Sequence, residues 1–477
     1  MSMNGRLAFA IAAGAFGSSF QHGYNTGVLN APQVLITNWL RGCEKNMTAV
    51  TEDGSDVLVC EKDMKSATMI WAIIVSIFCV GGMIGGTVVG TIASRVGRKG
   101  GLMWNNILAI LGALLLFFSK MSGSAIVLIL GRLVIGINSG INAGLSPMYL
   151  SEISPTSMRG AVGTVYQLII TMSILLAQIL GMSSVLGNEA GWPYLLGLTV
   201  FPAILQLVTL PLCPESPKYL LLDVDDEQKA LSSLNWLRGK VEVHDEIEEM
   251  KNEKEATKNM KTVSFMEIIT NSSLRKPLIV AQMMMLAQQL SGINAAMFYS
   301  TSIFESAGLS LSESQYATLA MGAMNVGMTL VSLVLIERAG RKTLMLIGLF
   351  IMFITTILLM LCLLLSKTVA VLSYVSIIMV IGFVIGFATG PGSIPWFFVT
   401  ELFTQNARGM ATSIAVVTNW TANTLVGLGF APFQYILGPY VFLFFIIVQF
   451  LFIIYVKFQV PETKNKTIEE ITAVFKN

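Results

Sequence analysis

Seven neutral polar side chains stand inside otherwise apolar stretches of this sequence: Gln167, Gln288, Gln289, Asn294, Asn325, Asn419 and Asn423. A carboxamide is costly in apolar surroundings unless it meets a partner or a wet cavity. Any one of them could serve helix-to-helix bonding as well as a ligand. As a set they match a ligand whose hydroxyls both donate and accept. Trp396, at the end of Gly390-Pro391-Gly392-Ser393-Ile394-Pro395-Trp396, adds an indole face for an apolar ring. Hydroxyls around an apolar ring describe a sugar. No nucleophile–base set or metal-ligand cluster is visible, so neither an enzyme activity nor a cofactor is expected.

A second group of residues is ionic and repeats. Arg95-Val96-Gly97-Arg98-Lys99 recurs as Arg338-Ala339-Gly340-Arg341-Lys342. Glu152 ahead of Arg159-Gly160 recurs as Glu401 ahead of Arg408-Gly409, and Pro214-Glu215 recurs as Pro461-Glu462. Three pairs in register mean two halves in parallel orientation. Arginine holds carboxylates and helix C-terminal carbonyls bidentately. Arg95, Arg98, Glu152, Arg159, Glu215, Glu337, Arg338, Arg341, Glu401 and Arg408 are therefore expected to latch two inner faces together in one state and release them in another. Gly82, Gly86 and Gly90 form a small-residue ridge suited to close helix packing.

The elements that position these groups must lie in lipid, because a chain that is 54% hydrophobic and 12% charged cannot keep 477 residues wet. Charge-free windows and Gly/Pro breaks give helices near 7–29, 67–92, 101–119, 123–148, 161–185, 191–212, 276–304, 314–336, 343–366, 370–398, 409–430 and 437–457. The expected class is an all-α membrane protein of twelve transmembrane helices in two parallel six-helix repeats. Residues 1–212 form the first bundle, 213–275 a helical linker, 276–457 the second bundle and 458–477 a tail. Lys and Arg in the short loops put both termini and the linker in the cytoplasm and the polar stretch Arg41 to Lys65 outside. An outside location permits a disulfide between Cys43 and Cys60 and a glycan on Asn46, in Asn46-Met47-Thr48. The net charge of +2 gives no argument for a nucleic-acid partner. No Asp or Glu falls mid-span, and His22 is read as a structural histidine rather than a proton relay.

Gly23-Tyr24-Asn25-Thr26-Gly27-Val28-Leu29-Asn30-Ala31-Pro32-Gln33, Pro214-Glu215-Ser216-Pro217, Gln288-Gln289-Leu290-Ser291-Gly292-Ile293-Asn294 and Pro461-Glu462-Thr463-Lys464 carry a resemblance. With them the chain resembles, nearly end to end, the sugar porter family of the major facilitator superfamily, most closely the animal facilitative glucose transporters. The resemblance implies a plasma-membrane carrier of D-glucose and related hexoses working by alternating access. It implies a central site of Gln167, Ile170, Ile174, Gln288, Gln289, Asn294, Asn325, Trp396 and Asn423, gated by Asn30, Phe298 and Tyr299. It implies uniport, since proton-coupled relatives carry Asp where Asn25 stands. Departures from the family pattern are Ser94 at an acidic or amide position, Phe298 for one gating tyrosine, Ser393 for a proline, and Ala388 as in fructose-type members. Proton-coupled hexose symport, a fructose or broad-range uniporter and a non-transporting sugar sensor stay open alternatives.

Overall fold

The computed structural model describes residues 3–50, 56–239, 242–259 and 261–476; within these a few side chains, Asn46 and Phe298 among them, lie outside the described residues. The first half runs α1 (Gly5–Gly27), α2 (Met64–Arg95), α3 (Arg98–Ser122), α4 (Ala125–Ile153), α5 (Arg159–Leu180) and α6 (Trp192–Gly197, continued by Val200–Thr209). The second runs α7 (Ser272–Leu290, then Ile293–Ser306), α8 (Leu311–Ala339), α9 (Arg341–Leu365), α10 (Val371–Thr389, then Ile394–Leu402), α11 (Gln405–Leu437) and α12 (Phe442–Gln459). Nine stretches among the described residues are long and apolar enough to cross a membrane, and the last of them runs through both α11 and α12. The two helices outside those stretches are α1 and α7. α1 carries Gln21, His22 and Asn25, and α7 is broken after Gln288 and Gln289. In α1 those polar residues lower the apolarity; in α7 the first piece also carries Arg275 and Lys276, and the second has only 14 residues.

The expected loop from Arg41 to Lys65 is instead a short hairpin. β1 (Cys43–Val50) pairs antiparallel with β2 (Asp56–Cys60), with Cys43 opposite Cys60, and a disulfide joins the two. Helices 276–304 and 370–398, expected as single spans, are both interrupted. In α10 the interruption is Gly390 to Ser393, where Pro391 removes a backbone donor and its ring excludes the helical path.

The repeat seen in the sequence is a repeat of helix starts. α3 and α9 each follow a glycine with positive φ, Gly97 at 88° and Gly340 at 86°. Glu215 Oε1 accepts from the backbone N–H of Arg98 and Lys99 at 3.1 and 2.9 Å. Glu462 accepts from those of Arg341 and Lys342 at 3.0 and 3.1 Å. A carboxylate at a helix N-terminus satisfies orphan donors and opposes the helix dipole favourably. A Cβ on either glycine would sit 2.5 Å from the capping carboxylate, so the repeated Arg-x-Gly-Arg-Lys spells a cap. Between the halves, the linker turn Tyr219–Asp223 and helices Glu227–Arg238 and His244–Thr257 gather Leu221, Ala230, Leu234, Val243, Ile247 and Met250 into a small apolar cluster of their own, while Ile268 of helix Phe265–Thr270 packs into the main core.

The glycine ridge does pack closely, and its partner belongs to the other half. Positions for a Cβ on Gly82, Gly86 and Gly90 fall within 3 Å of Trp420, Val416 and the Gly409 backbone, all on α11. Gly90 N also donates to Ser413 Oγ at 2.8 Å. α2 and α11 thus form a seam joining the two halves.

Candidate functional site

The two breaks in α7 and α10 meet. Gln288 Nε2 donates to the carbonyls of Pro391 and Gly392 at 3.0 and 2.8 Å, satisfying groups the α10 interruption would otherwise orphan. Its Oε1 accepts from Asn419 Nδ2 at 2.7 Å, and Gln289 Nε2 donates to Asn419 Oδ1 at 3.1 Å. Asn294, on the far side of the α7 break, donates to Gln289 Oε1. Four carboxamides on α7 and α11 are therefore one buried network. Asn325 on α8 and Asn423 on α11 differ: each has a buried Oδ1 with no hydrogen-bond partner. A buried acceptor left unmatched costs about 1–3 kcal/mol, so among the expected site residues these two have an acceptor free for a ligand hydroxyl.

Trp396 lies among aromatic rings drawn from both halves. Tyr166 and His22 sit 5.7 and 6.0 Å from it between ring centroids, and His22 lies 5.1 Å from Trp420. His22 Nδ1 and Tyr166 Oη are 2.8 Å apart, which holds the imidazole in place. Gln167 follows Tyr166 on α5 and is buried. Ile170 and Ile174, one and two turns on, back directly onto α1, where Gly23 and Gly27 leave room for them. Expected site residues thus come from α5, α7, α8, α10 and α11, around the junction of the halves.

Above this junction a cavity of about 390 Å³ opens towards the hairpin end, lined by Asn30, Gln33, Trp71, Arg132, Tyr299 and Asn423 among others. That is within the usual size range of small-molecule sites. Asn30 Nδ2 reaches across the halves to the carbonyl of Met297 at 3.2 Å, and Tyr299 Oη donates to Gly427 O at 3.0 Å. The Phe298 side chain lies outside the described residues. Arg132, which sequence reading passed over, is a buried cation of α4. It donates to the backbone carbonyl of Asn25 at 2.9 Å and stacks 4.3 Å from the Phe78 ring. Its signal was a single basic residue inside an apolar window.

The opposite end is closed by charge. Arg98 Nη2 and Arg408 Nη1 both donate to Glu152 Oε1 at 3.0 Å, one from each half. Ser216 Oγ donates to Glu152 Oε2 as well. In the second half Arg341 binds Glu401 at 2.8 Å and Thr463 Oγ1 donates to the same carboxylate, repeating the first. Glu337 Oε1 crosses to accept from Ala161 N at 2.8 Å. Arg95 and Arg338 stand apart: their side chains are exposed and form no ion pair among the described residues. Arg159 is half-buried and likewise lacks an ion pair among them. Among the described residues the Ser94 hydroxyl bonds to its own helix, at Thr91.

Two participants were missed. Asp223 binds Arg98 at 3.1 Å and accepts from Gln405 Nε2 at 2.9 Å, so the linker itself bridges to the second half. Burial pushes the Asp223 carboxyl above the usual carboxylate range, against the pull of Arg98. Elsewhere in the linker, burial raises the Glu253 carboxyl less than Lys218 and Arg408 lower it, and the group falls to about 2. Linker acids lack the periodicity or repeat that singled out the others.

A family model described as "Sugar (and other) transporter" matches residues 10–475. Solute carrier family 2, facilitated glucose transporter member 1 of Gallus gallus is 44% identical, over 99% of this chain and 94% of its own. Member 4 of Homo sapiens is 45% identical, over 99% and 91%. Among solved structures, the proton:xylose symporter XylE bound to 6-bromo-6-deoxy-D-glucose is similar at a TM-score of 0.83 and 22% identity, covering 98% of this chain and 99% of that one. The inward-open xylose transporter XylE from E. coli is similar at 0.70 and 22%, over 98% and 99%. These matches span both halves, the breaks and the latch, and this chain belongs to the sugar transporters of the major facilitator superfamily, within solute carrier family 2.

Proposed function

We propose that the protein carries D-glucose and related hexoses down their gradient across the plasma membrane, residues 1–212 rocking against 276–457 about a midplane sugar. The observation that carries this reading is a cavity between the halves, lined among others by Asn423 with its unmatched acceptor, while the opposite end of the halves is closed by Glu152 holding arginines of both. The printed names of the relatives, facilitated glucose transporters, favour the same substrate. The latch end, with termini and linker, is cytoplasmic; the hairpin end, with a glycan on Asn46, is outside.

Uniport is favoured over symport by Asn25. Its Oδ1 accepts from Thr199 Oγ1 at 3.1 Å and its Nδ2 donates to Gln21 O at 2.8 Å, so the position is satisfied as a neutral amide. No carboxylate lines the cavity among the described residues. A carrier with no group that binds a proton differently in its two states has nothing to couple to. Labelled D-glucose uptake into proteoliposomes, competed by L-glucose, fructose, galactose and mannose, tests the assignment. Uptake blocked by D-hexoses and not by L-glucose is expected, and the absence of stereospecific uptake contradicts it.

A further inference from the structure

We infer that Gln449, on α12, is a positioning residue for transport: it pins the α7 break from its outer side, so that the piece Ile293–Ser306 can tilt over the sugar. Gln449 is fully buried in a helix that is otherwise aliphatic and aromatic from Phe442 to Val456. A carboxamide at that depth needs a reason. Its Nε2 donates to the carbonyl of Ser291 at 2.7 Å and to Thr356 Oγ1, on α9, at 3.1 Å.

Ser291 is the residue at which α7 stops. In an unbroken helix its carbonyl would accept from the N–H of Ala295. Gly292, with φ at 104°, turns the chain out of that path, and Gln449 supplies the donor from a neighbouring helix instead. Phe445, one turn earlier on α12, meets the same point; a Cβ on Gly292 would lie 3.1 Å from its ring. One face of α12 therefore holds both residues of the break. Beside it lies a void of about 20 Å³, the size of a single water, lined by Ser291, Gly292, Ala296, Thr356, Phe442 and Phe445, so packing against the break is incomplete.

The break separates Gln288 and Gln289 from Asn294 and Tyr299. Whatever fixes its angle sets how the gate sits over the carboxamide network. Gln449 does so without touching the cavity, so its loss should slow the conformational step and spare the sugar contacts. This rests on the transport reading given above.

The test compares Gln449→Leu, which removes the amide, with Gln449→His, which keeps an N–H donor. In proteoliposomes the Leu variant should show kcat lowered at least fivefold with glucose Kd within twofold of the parent, and the His variant should recover most of kcat. Hydrogen exchange of the 293–296 amides should be at least fivefold faster in the Leu variant, with 272–287 unchanged. That second reading follows the break whether or not sugar moves, so a parent that fails to carry glucose overturns the transport reading alone. Parental kcat and exchange in the Leu variant overturn the role of Gln449. An equal loss of kcat and melting temperature in both variants also overturns it, since the amide would then be packing only. If the Leu variant does not fold, Gln449→Met carries the same comparison.

Discussion

Arg408 donates to Glu152 across the two halves at 3.0 Å, whereas the repeat-related pair, Arg159 and Glu401, forms no ion pair among the described residues. Glu401 is instead held within its own half by Arg341 and Thr463. The latch is asymmetric, and one carboxylate in the first half receives arginines from both.

Removing Arg408 should therefore open the latch end without unfolding either bundle. Glu152 keeps Arg98, so the loss is one charge-assisted hydrogen bond of about 1.5–3 kcal/mol, or roughly ten- to a hundredfold in the conformational equilibrium. In Arg408→Gln, a cysteine placed at Ser413, on the α2–α11 seam, should be alkylated at least tenfold faster from the latch side. Arg159→Gln should change that rate little. Equal effects of the two would contradict the asymmetry.

The carboxamides should divide into two groups. Gln288 closes the α10 break as well as facing the junction, so Gln288→Ala should lower both glucose affinity and melting temperature. Asn423 has an unmatched acceptor, so Asn423→Ala should weaken binding several-fold while leaving stability unchanged or raised. Trp396→Ala should cost a similar several-fold through the lost ring face. Binding isotherms and thermal melts on the same preparations separate the groups; a melting-temperature loss in Asn423→Ala equal to that in Gln288→Ala would contradict the division.

Much of this was legible in the sequence because repetition and polarity in an apolar setting both leave local marks. The repeated Arg-x-Gly-Arg-Lys and Pro-Glu segments marked the right places but were expected to latch the halves, whereas Glu215 and Glu462 cap helix starts within their own halves; the charge-free windows held eleven of the twelve expected spans. The carboxamides stood out for the same reason. What escaped were partners chosen by tertiary contact. Asp223 and Gln405 sit where charged or polar residues are ordinary, and only folding brings Asp223 to Arg98 and Gln405 to Asp223. Arg95 and Arg338 shared the motif but point to solvent, since successive residues around a helix end face different ways. Gln449 was one amide in a long apolar run, and nothing in sequence tells a buried clamp from a lipid-facing accident.

The docking of the linker should weaken in acid. Glu253 sits near 2 when folded against an ordinary 4.5, so its pairing with Lys218 stabilises fully above pH 4.5 and is lost as pH falls from there towards 2. Protease protection of residues 244–257 should decline over that interval in the parent. In Glu253→Gln protection should be lower at neutral pH and flat across the window. A parent profile as flat as the variant's would contradict the pairing.

Glycosidase treatment of protein from a glycosylating host should increase gel mobility, and Asn46→Gln should abolish the difference. A shift that persists in the variant would place the hairpin end on the wrong side of the membrane or the glycan elsewhere.

The most direct measurement is the steady-state glucose distribution across proteoliposomes with and without an imposed pH gradient. A uniporter with Asn25 satisfied as an amide and no cavity carboxylate should bring glucose to equal concentrations on both sides at every gradient, and His22→Gln should behave alike. Glucose enrichment that follows the pH gradient, and disappears in His22→Gln, would show that the protein is a proton-coupled symporter.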